Sequence, residues 1–427
     1  MTAHTLDATP AGQSKALAPI IWKFPVVYSI LALVSLVFFG LIGRDGQTTF
    51  RIATEGDFFA IPDIVVPATA AGLVLSLILV VMAAASIWFA LRRVSLASWF
   101  PMLFGVLFVL SFLAWAGGGS GGVIPMTTLL AGALALSVPL IFGAMCGLVG
   151  ERSGIINIAI EGQLLAGAFL AAVVASVVQN PYAGLLAAPI AGALVAVVLT
   201  FFAVKYWVNQ IIIGVVLNVL VVGLTSFLYS TVLTENAELW NARQRLPNLP
   251  IPLLSDIPIL GRVLFDQNIL VYLMYLVVIA LQILVFRSKW GLRMRAVGEH
   301  PKAADTVGIR VNATRVRNTI MAGAIAGLGG AFFTVGSGLA FGKEMSAGQG
   351  YIALAAMILG KWNPKGALLA ALLFGFSKSL GNTLQSIGTP VANELLLMLP
   401  YIVTVLAVAG FVGRVRPPAA AGVPYVK

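Results

Sequence analysis

The sequence has few of the residues that most soluble enzymes rely on. Only 10% of its 427 residues are charged, against about 25% in a typical soluble domain. It contains two histidines, His4 and His300, and one cysteine, Cys146, so an intramolecular disulfide is excluded. A zinc-protease pair of histidines on one helix is absent as well. We expect neither a metal site nor catalysis by this chain.

Apolar residues make up 60% of the chain, and many of them fall in runs of membrane-spanning length, roughly 20 residues. These runs are rich in Leu, Ala and Val and do not alternate, which excludes a β-barrel. The sequence therefore predicts an all-α polytopic membrane protein with about ten transmembrane helices. The predicted spans are 24–42, 68–91, 98–116, 128–149, 155–178, 184–204, 211–233, 268–286, 318–338 and 391–413. Two shorter apolar pieces, 350–360 and 366–384, predict a hairpin of short helices.

The positive charge of the chain predicts its orientation rather than a nucleic-acid partner. The net charge is +11, and segment 287–317 alone carries eight Lys or Arg against two acidic residues. Basic loops next to spans lie in the cytoplasm under the positive-inside rule. With 287–317 inside, counting spans places both termini in the cytoplasm.

A run of glycines separates two regions of the chain. Residues 117–122 read "GGGSGG" and are not followed by the Lys-Ser/Thr of a phosphate loop, so a flexible connection is expected. We predict an N-terminal tail with a three-span extension over 1–116 and a body over 123–427. The body contains the basic cytoplasmic loop 287–317.

The body contains a weak internal repeat. Residues 161–188 and 347–371 each have a Gly-Gln, an apolar helix, an Asn-Pro and an Ala/Leu-rich helix. The second Asn-Pro is flanked by Lys361 and Lys365, whereas the first has no charged neighbour. Basic residues at only one of two equivalent turns predict an inverted-topology repeat. Transporters built from such repeats place broken helices and the substrate path near the membrane midplane.

The segment "AVGEHPKAADTVGI", 296–309, predicts a short helix in the basic loop. Pro301 suits the first helical turn, and Gly308 suits a left-handed helix end. A helix over 301–307 is too polar to insert in the membrane and too short to be stable alone. We expect it to dock on another protein or element.

Four stretches carry a resemblance to a known family. They are "GERSGIINIAIEGQLLAGAF", "RAVGEHPKAADTVGI", "AGAIAGLGGAFF" and "SAGQGYIALAAMILGKWNPKGALLAALLFG". Together they resemble ABC importer permeases of the branched-chain amino acid/ribose-type superfamily, and most of all the permeases of nucleoside importers. The resemblance covers about 123–413. It departs from the family pattern at Lys302, where glutamate is usual.

The resemblance implies a coupling helix formed by Pro301, Lys302, Ala303, Ala304 and Gly308, which would fit a groove in an ATPase subunit. The chain has no G-x-x-x-x-G-K-[ST] motif of its own. ATP and Mg are therefore expected on the partner, with no cofactor bound by this chain.

The resemblance also implies the remaining partners and the location. The implied partners are a second, related permease, with which the chain would form a heterodimer, and an extracytoplasmic substrate-binding protein. The chain itself is expected in the lipid bilayer of the plasma (inner) membrane of a prokaryote. No nucleic-acid partner is expected. Nucleosides are the favoured cargo. The alternative cargoes are simple sugars such as ribose and branched-chain amino acids. The alternative mechanism is that of an ion-driven secondary transporter.

Several polar and aromatic residues of the body are candidates for the substrate path. Asn157 and Glu161 are four residues apart, which would place them on one helix face, and a buried carboxylate must face a partner or a cavity. Glu161 either holds broken helix ends together or contacts cargo. Six residues form the candidate set: Asn157, Glu161, Gln163, Asn218, Phe169 and Phe341.

Overall fold

A computed structural model describes most of the chain. It covers residues 22–53, 57–59, 61–94, 96–97, 99–119, 122–389, 391–392, 394–396, 398, 401 and 416–426. The predicted N-terminal tail up to residue 21 and most of the predicted span 391–413 lie outside the described residues.

The described residues are mainly helical. The helices are α1 Lys23–Val34, α2 Ala68–Leu91, α3 Trp99–Gly117, α4 Met126–Arg152, α5 Ile160–Val178, α6 Pro181–Thr200, α7 Gln210–Leu228, α8 Ala237–Trp240, α9 Ile269–Arg287, α10 Lys289–Glu299, α11 Pro301–Thr306, α12 Val311–Ala331, α13 Gln349–Leu359 and α14 Pro364–Ser386. Helices α1, α6, α7 and α12 continue as π-helical turns, over Ser35–Leu41, Phe201–Lys205, Tyr229–Leu233 and Phe332–Gly336. A separate π-helical turn covers Gly261–Phe265.

Short strands occur only between helices in the described chain. They are β1 Gln47–Arg51, β2 Ile64–Pro67, β3 Val123–Pro125, β4 Asn248–Pro250 and β5 Asp266–Asn268. Strand β4 pairs antiparallel with β5, in the register Asn248 with Asn268. These pieces satisfy backbone groups in the connections and form no barrel.

Ten described helices are long and apolar enough to cross a membrane, which confirms the predicted all-α polytopic class. Nine of them match predicted spans apart from shifts at their ends. The tenth, Pro364–Ser386, has 23 residues and replaces the second short helix of the predicted hairpin. Its polar residues, among them Lys378 and Asn382, lower its mean hydropathy to 1.3. For this reason hydropathy alone did not identify it as a full membrane span. Helix α13, with 11 residues, is short as predicted.

The chain divides into two compact units. The smaller is Met1–Thr48 with Val65–Gly122, and the larger is Thr49–Ile64 with Val123–Lys427. The predicted boundary assigned all of 1–116 to the extension, whereas 49–64 belongs to the larger unit. Contacts within that unit explain the difference. Thr49 pairs with Val123 in parallel strands, and Asp57 accepts a hydrogen bond from Arg262 over 3.1 Å.

The smaller unit packs α1, α2 and α3 around a buried cluster of three serines. The Ser35 and Ser76 hydroxyls are 2.7 Å apart, and Ser111 lies 3.1 Å from Ser35. Each serine comes from a different helical segment. Hydrogen bonds between helices are a main source of specific association inside lipid, where apolar burial gives no driving force.

In the larger unit, α4, α5, α6 and α12 form a tightly packed centre. Helix α4 is buried on all sides along its second half, which is why it shows no amphipathic pattern. Helices α6 and α12 meet through Gly192, Gly323 and Gly327, where a Cβ on any of them would collide with a facing backbone carbonyl. Small residues let membrane helices approach this closely.

The two halves of the internal repeat have the same local structure in opposite directions. Asn180 and Asn363 both cap a helix that starts at proline, accepting hydrogen bonds from Tyr182 N–H at 2.9 Å and Lys365 N–H at 3.0 Å. Helix α13 runs beside α4 in the same direction, since Gly143 faces Ala353 and Gly147 faces Met357. Helix α5 lies beside α12 and runs in the direction opposite to α4 and α13. The N-termini of α5 and α13 therefore meet head to head.

Candidate functional site

The carboxylate of Glu161 joins the two helices at this meeting point. Glu161 lies in the first turn of α5 and is 7% exposed. One carboxylate oxygen accepts hydrogen bonds from the Ser346 hydroxyl at 2.6 Å and the Gly348 N–H at 2.8 Å. The other accepts from the Gly350 N–H at 2.6 Å. A carboxylate at a helix N-terminus binds free N–H groups and interacts favourably with the helix dipole. Glu161 thus caps α13.

Asn218 of α7 serves the N-terminus of α5 in a similar way. Its side-chain oxygen accepts from the Gly162 N–H at 2.8 Å, and its amide donates to the Ile158 carbonyl at 2.9 Å. The same amide lies 3.0 Å from the Tyr351 hydroxyl of α13. Each broken helix therefore receives its cap from a different element, and three helices are linked at one point. We call the residues Glu161, Asn218, Ser346 and Tyr351 the helix junction.

The predicted shared face of Asn157 and Glu161 is wrong. Helix α4 ends at Arg152, Gly154 has a φ of +90°, and α5 starts only at Ile160. A positive φ suits glycine and ends the helix. Asn157 therefore lies in a non-helical segment, where the four-residue spacing of a helix does not apply.

Asn157 and Gln163 are hydrogen-bonded to each other. The Asn157 amide donates to the Gln163 side-chain oxygen at 3.0 Å, and Cys146 lies 3.2 Å from the same oxygen. Asn157, Gln163 and Cys146 are all fully buried. Their contacts hold the break between α4 and α5 in place.

Phe169 and Phe341 come together although 172 positions separate them in the sequence. Their rings meet edge to face with centroids 5.2 Å apart, and Tyr229 lies 6.2 Å from Phe341. Phe341 is 2% exposed, and its backbone is held by Asn241 through hydrogen bonds of 2.8 and 3.0 Å. The cluster is packed, so stacking of a base on Phe341 would require the loop to move.

A cavity of about 250 Å³ lies beside the N-terminus of α13 and was missed by the sequence reasoning. Beside the exposed Tyr401, four residues supply its polar lining: Gln349 of α13, and Lys378, Asn382 and Gln385 of α14. The last three follow at spacings of four and three residues, which places them on one helix face. A lysine inside a membrane span marks a functional site by default. Recognition of 364–386 as a full span would have exposed this signal. We call these four residues with the apolar wall around Phe374 the α14 cavity.

The predicted loop helix is present as α11, Pro301–Thr306, with Pro301 in its first turn and Gly308 at a φ of +85°. Lys302 and Ala303 are exposed, whereas Ala304 is buried. The helix thus has one packed side and one side open to a partner.

The packed side of α11 is covered by the C-terminal segment 416–426. Tyr425 lies in an apolar cluster with Val297, Ala304 and Val311, and its hydroxyl bonds to Asp305 of α11. Burial and this contact raise the pKa of Tyr425. The Ala420 N–H donates to the Gly298 carbonyl at 2.8 Å. The segment therefore holds α10 and α11 together.

Arg315 connects the same segment to the break before α5. It is 1% exposed, and its guanidinium donates to the carbonyls of Val423 at 2.8 Å and Ala420 at 3.4 Å. The guanidinium also packs directly on Gly154, where a Cβ would lie 2.7 Å from one of its nitrogens. One buried side chain of α12 thus contacts both the C-terminal segment and the α4–α5 break.

A second, larger cavity lies at the surface of the basic loop. It measures about 710 Å³, and its lining includes the exposed residues Leu292, Arg293, Val307, Arg310 and Arg317. Leu292 is 62% and Val307 74% exposed. Exposed apolar residues rimmed by charges are typical of a protein-binding surface. No group of metal-ligating side chains occurs among the described residues.

Ten membrane-length helices, two oppositely directed broken helices and an exposed loop helix define a class of protein, the membrane transport permeases. A family model described as branched-chain amino acid transport system, permease component, matches residues 129–408. The chain belongs to this permease family.

Similar proteins of known name are also transport permeases. The chain is 39% identical over 311 residues to the guanosine ABC transporter permease protein NupQ of Bacillus subtilis, covering 69% of this chain and 95% of that protein. It is 37% identical over 314 residues to the nucleoside ABC transporter permease protein NupC of Lactococcus lactis, covering 70% and 96%. It is 32% identical over 252 residues to a putative glucose ABC transporter permease protein, TsgC13 of Haloferax volcanii, covering 58% and 75%. No solved structure matches the chain.

Proposed function

We propose that this chain is the permease subunit of an ATP-driven nucleoside importer. The observation that carries the proposal is its similarity, over nearly their whole length, to permeases named for guanosine and nucleosides. The sugar alternative is supported by two relatives of lower identity, at 32% and 27%, of which the chain covers 75% and 71%.

The proposed importer needs three further proteins: an ATPase subunit, a second related permease and a substrate-binding protein outside the membrane. Bacillus subtilis has a second guanosine ABC transporter permease protein, NupP, to which this chain is 26% identical over 282 residues. The existence of two such relatives in one organism supports pairing with a different permease.

The ATPase is proposed to bind the exposed side of α11 and the neighbouring cavity with its three arginines. Apolar Val307 and Leu292 supply buried area, and the arginines favour an acidic partner surface. Movement of α11 would then reach the membrane interior through the C-terminal segment, because Arg315 contacts both that segment and Gly154. Gly154 lies six residues before the first residue of α5, and so close to the helix junction.

Uptake into proteoliposomes tests the function. The permease, its ATPase and the second permease are reconstituted, with the binding protein outside, and labelled guanosine, uridine and ribose are compared. ATP-dependent guanosine uptake is expected. Uptake of ribose without any nucleoside would contradict the nucleoside assignment, and uptake driven by an ion gradient without ATP would contradict the ABC mechanism.

A bulky residue on the exposed side of α11 tests the coupling assignment. Ala303→Trp is expected to abolish ATP-driven uptake while the permease remains folded, because a tryptophan there would obstruct docking. Glu235→Trp, which lies in an exposed loop after α7, is the matched control. Full uptake by Ala303→Trp would show that the ATPase docks elsewhere. Labelling of a cysteine introduced at Lys302 only from the cytoplasmic side would establish the proposed orientation.

A further inference from the structure

The α14 cavity differs from the polar sites of the helix junction and of the α4–α5 break. Glu161, Asn157, Gln163 and Asn218 are all hydrogen-bonded to other protein groups. Buried polar groups normally find such partners, because leaving one unpaired costs free energy. Buried or half-buried polar side chains that converge without a protein partner among the described residues are therefore available to a ligand.

Four such side chains face the α14 cavity. Within the described part of the chain, the side chains of Gln349, Lys378, Asn382 and Gln385 make no hydrogen bond or ion pair with protein. Gln349 is only 7% exposed and Lys378 is half-buried, whereas Asn382 and Gln385 are exposed. The contrast with the repeat is direct, since the counterpart of Gln349 is Gln163, which bonds to Asn157.

The chemistry of the four side chains limits what they can bind. A lysine ammonium offers three donors and no acceptor, whereas each amide offers both. No acidic side chain of the described residues pairs with Lys378, so a cationic ligand is disfavoured. The ligand should present acceptor groups, such as a carbonyl, a ring nitrogen or hydroxyls. The ring of Phe374, which is only 1% exposed, forms part of the apolar lining, as in most small-molecule sites.

These requirements select among nucleosides. Guanine presents two adjacent acceptors, O6 and N7, whereas adenine has an amino donor in place of O6. An ammonium donor pairs with the first edge and opposes the amino group of the second. The cavity, about 250 Å³, is slightly smaller than the roughly 300–1,000 Å³ of drug-sized ligand sites, so it suits a ligand no larger than a single nucleoside.

We propose that the α14 cavity is a nucleoside-binding station within the membrane, and that Lys378 selects 6-oxopurine nucleosides by donating to the acceptor edge of the base. Gln349, Asn382 and Gln385 pair with the ribose hydroxyls and the remaining base groups. This inference rests on the proposed nucleoside import. It adds the location of the cargo and the residue that discriminates between purines.

The test measures KM and maximal rate of ATP-driven uptake for guanosine and adenosine in proteoliposomes containing the complete importer. Lys378→Met is expected to raise KM for guanosine about tenfold to a hundredfold, the range for loss of one hydrogen bond to a charged group. Adenosine uptake should change by less than about threefold, because adenine offers the ammonium only N7 and its neighbouring amino donor opposes the positive charge. Lys378→Arg should restore part of the preference for guanosine. Lys365→Met, at the exposed start of the same helix, is the control for loss of one positive charge.

A second variant keeps the proposal testable if Lys378→Met does not assemble. Gln349→Leu is nearly isosteric and should raise KM for both nucleosides together, since its amide pairs with groups that they share. Equal kinetics of wild type and both variants would overturn the proposal, and so would an equal loss for guanosine and adenosine in Lys378→Met. Failure of the wild type to take up any nucleoside would instead refute the proposed function itself.

Discussion

Replacement of Glu161 separates a structural role in the helix junction from direct contact with cargo. In Glu161→Ala, the N–H groups of Gly348 and Gly350 lose their acceptor in a buried setting. Each unsatisfied buried donor costs about 1–3 kcal/mol, so the two together cost about 2–6 kcal/mol. The Ser346 hydroxyl can rotate to another acceptor and adds little. A value near 4 kcal/mol corresponds to about a thousandfold change in the ratio of folded to unfolded protein.

Glu161→Gln should lose about half as much. The oxygen that serves Ser346 and Gly348 can be retained, whereas the new NH₂ group faces the Gly350 N–H, donor against donor. One unsatisfied group costs about 1–3 kcal/mol. The expected order of stability is therefore wild type, then Glu161→Gln, then Glu161→Ala.

Unfolding by SDS in mixed micelles measures these free energies, and uptake by the surviving protein gives KM. Glu235→Gln removes the same charge at an exposed position and is the control. We expect lower stability with an unchanged KM for nucleoside. Wild-type stability in Glu161→Ala together with a raised KM would refute the structural role and assign Glu161 to the cargo path.

Three further outcomes follow from the contacts. Asn218→Leu leaves the Gly162 N–H and the Ile158 carbonyl unpaired and should reduce the free energy of unfolding by about 2–6 kcal/mol in the same SDS assay; a loss below about 0.5 kcal/mol would contradict the helix junction. Arg315→Met should uncouple ATP hydrolysis from uptake, measured as phosphate released per nucleoside imported, whereas Arg287→Met, at an exposed position outside the proposed docking cavity, should not; an unchanged ratio in Arg315→Met would exclude the proposed path. Tyr425→Phe should weaken coupling modestly. The pKa of Tyr425 is raised above its ordinary value near 10. The hydrogen bond from its hydroxyl to Asp305 should therefore persist up to about pH 10 and be lost only when the pH rises through the raised pKa. Uptake by wild type and Tyr425→Phe should therefore keep a constant ratio between pH 6 and pH 9, and a ratio that falls towards one in that range would contradict the assignment.

Local sequence signals predicted much of the larger unit. The two Asn-Pro pairs predicted equivalent turns, and both asparagines cap their helices in the structure. Pro301 and Gly308 predicted the ends of α11 within two residues. These predictions succeed because capping and backbone conformation depend on a few neighbouring residues.

Predictions about polar residues inside the membrane were less complete. The spacing of Asn157 and Glu161 assumed a continuous helix, but Gly154 interrupts it. Lys378 was missed because the polar residues of α14 lowered the apparent hydropathy of a real span. A hydropathy reading averages over a window, so the polar residues that make a site functional also make its helix harder to recognise.

By itself, the sequence determined the class of protein, because apolar runs of about 20 residues can satisfy their backbone in lipid only as helices. It also determined the repeat and the loop helix. Only the tertiary structure decided that Glu161 reaches Gly348 and Gly350, that Arg315 contacts Gly154 and the C-terminal segment, and that Lys378 faces a cavity. The physical reason is that the helix axis and its apolar content are local properties. The partners of a buried polar group depend on how distant helices pack, and here they lie more than a hundred residues apart in the chain.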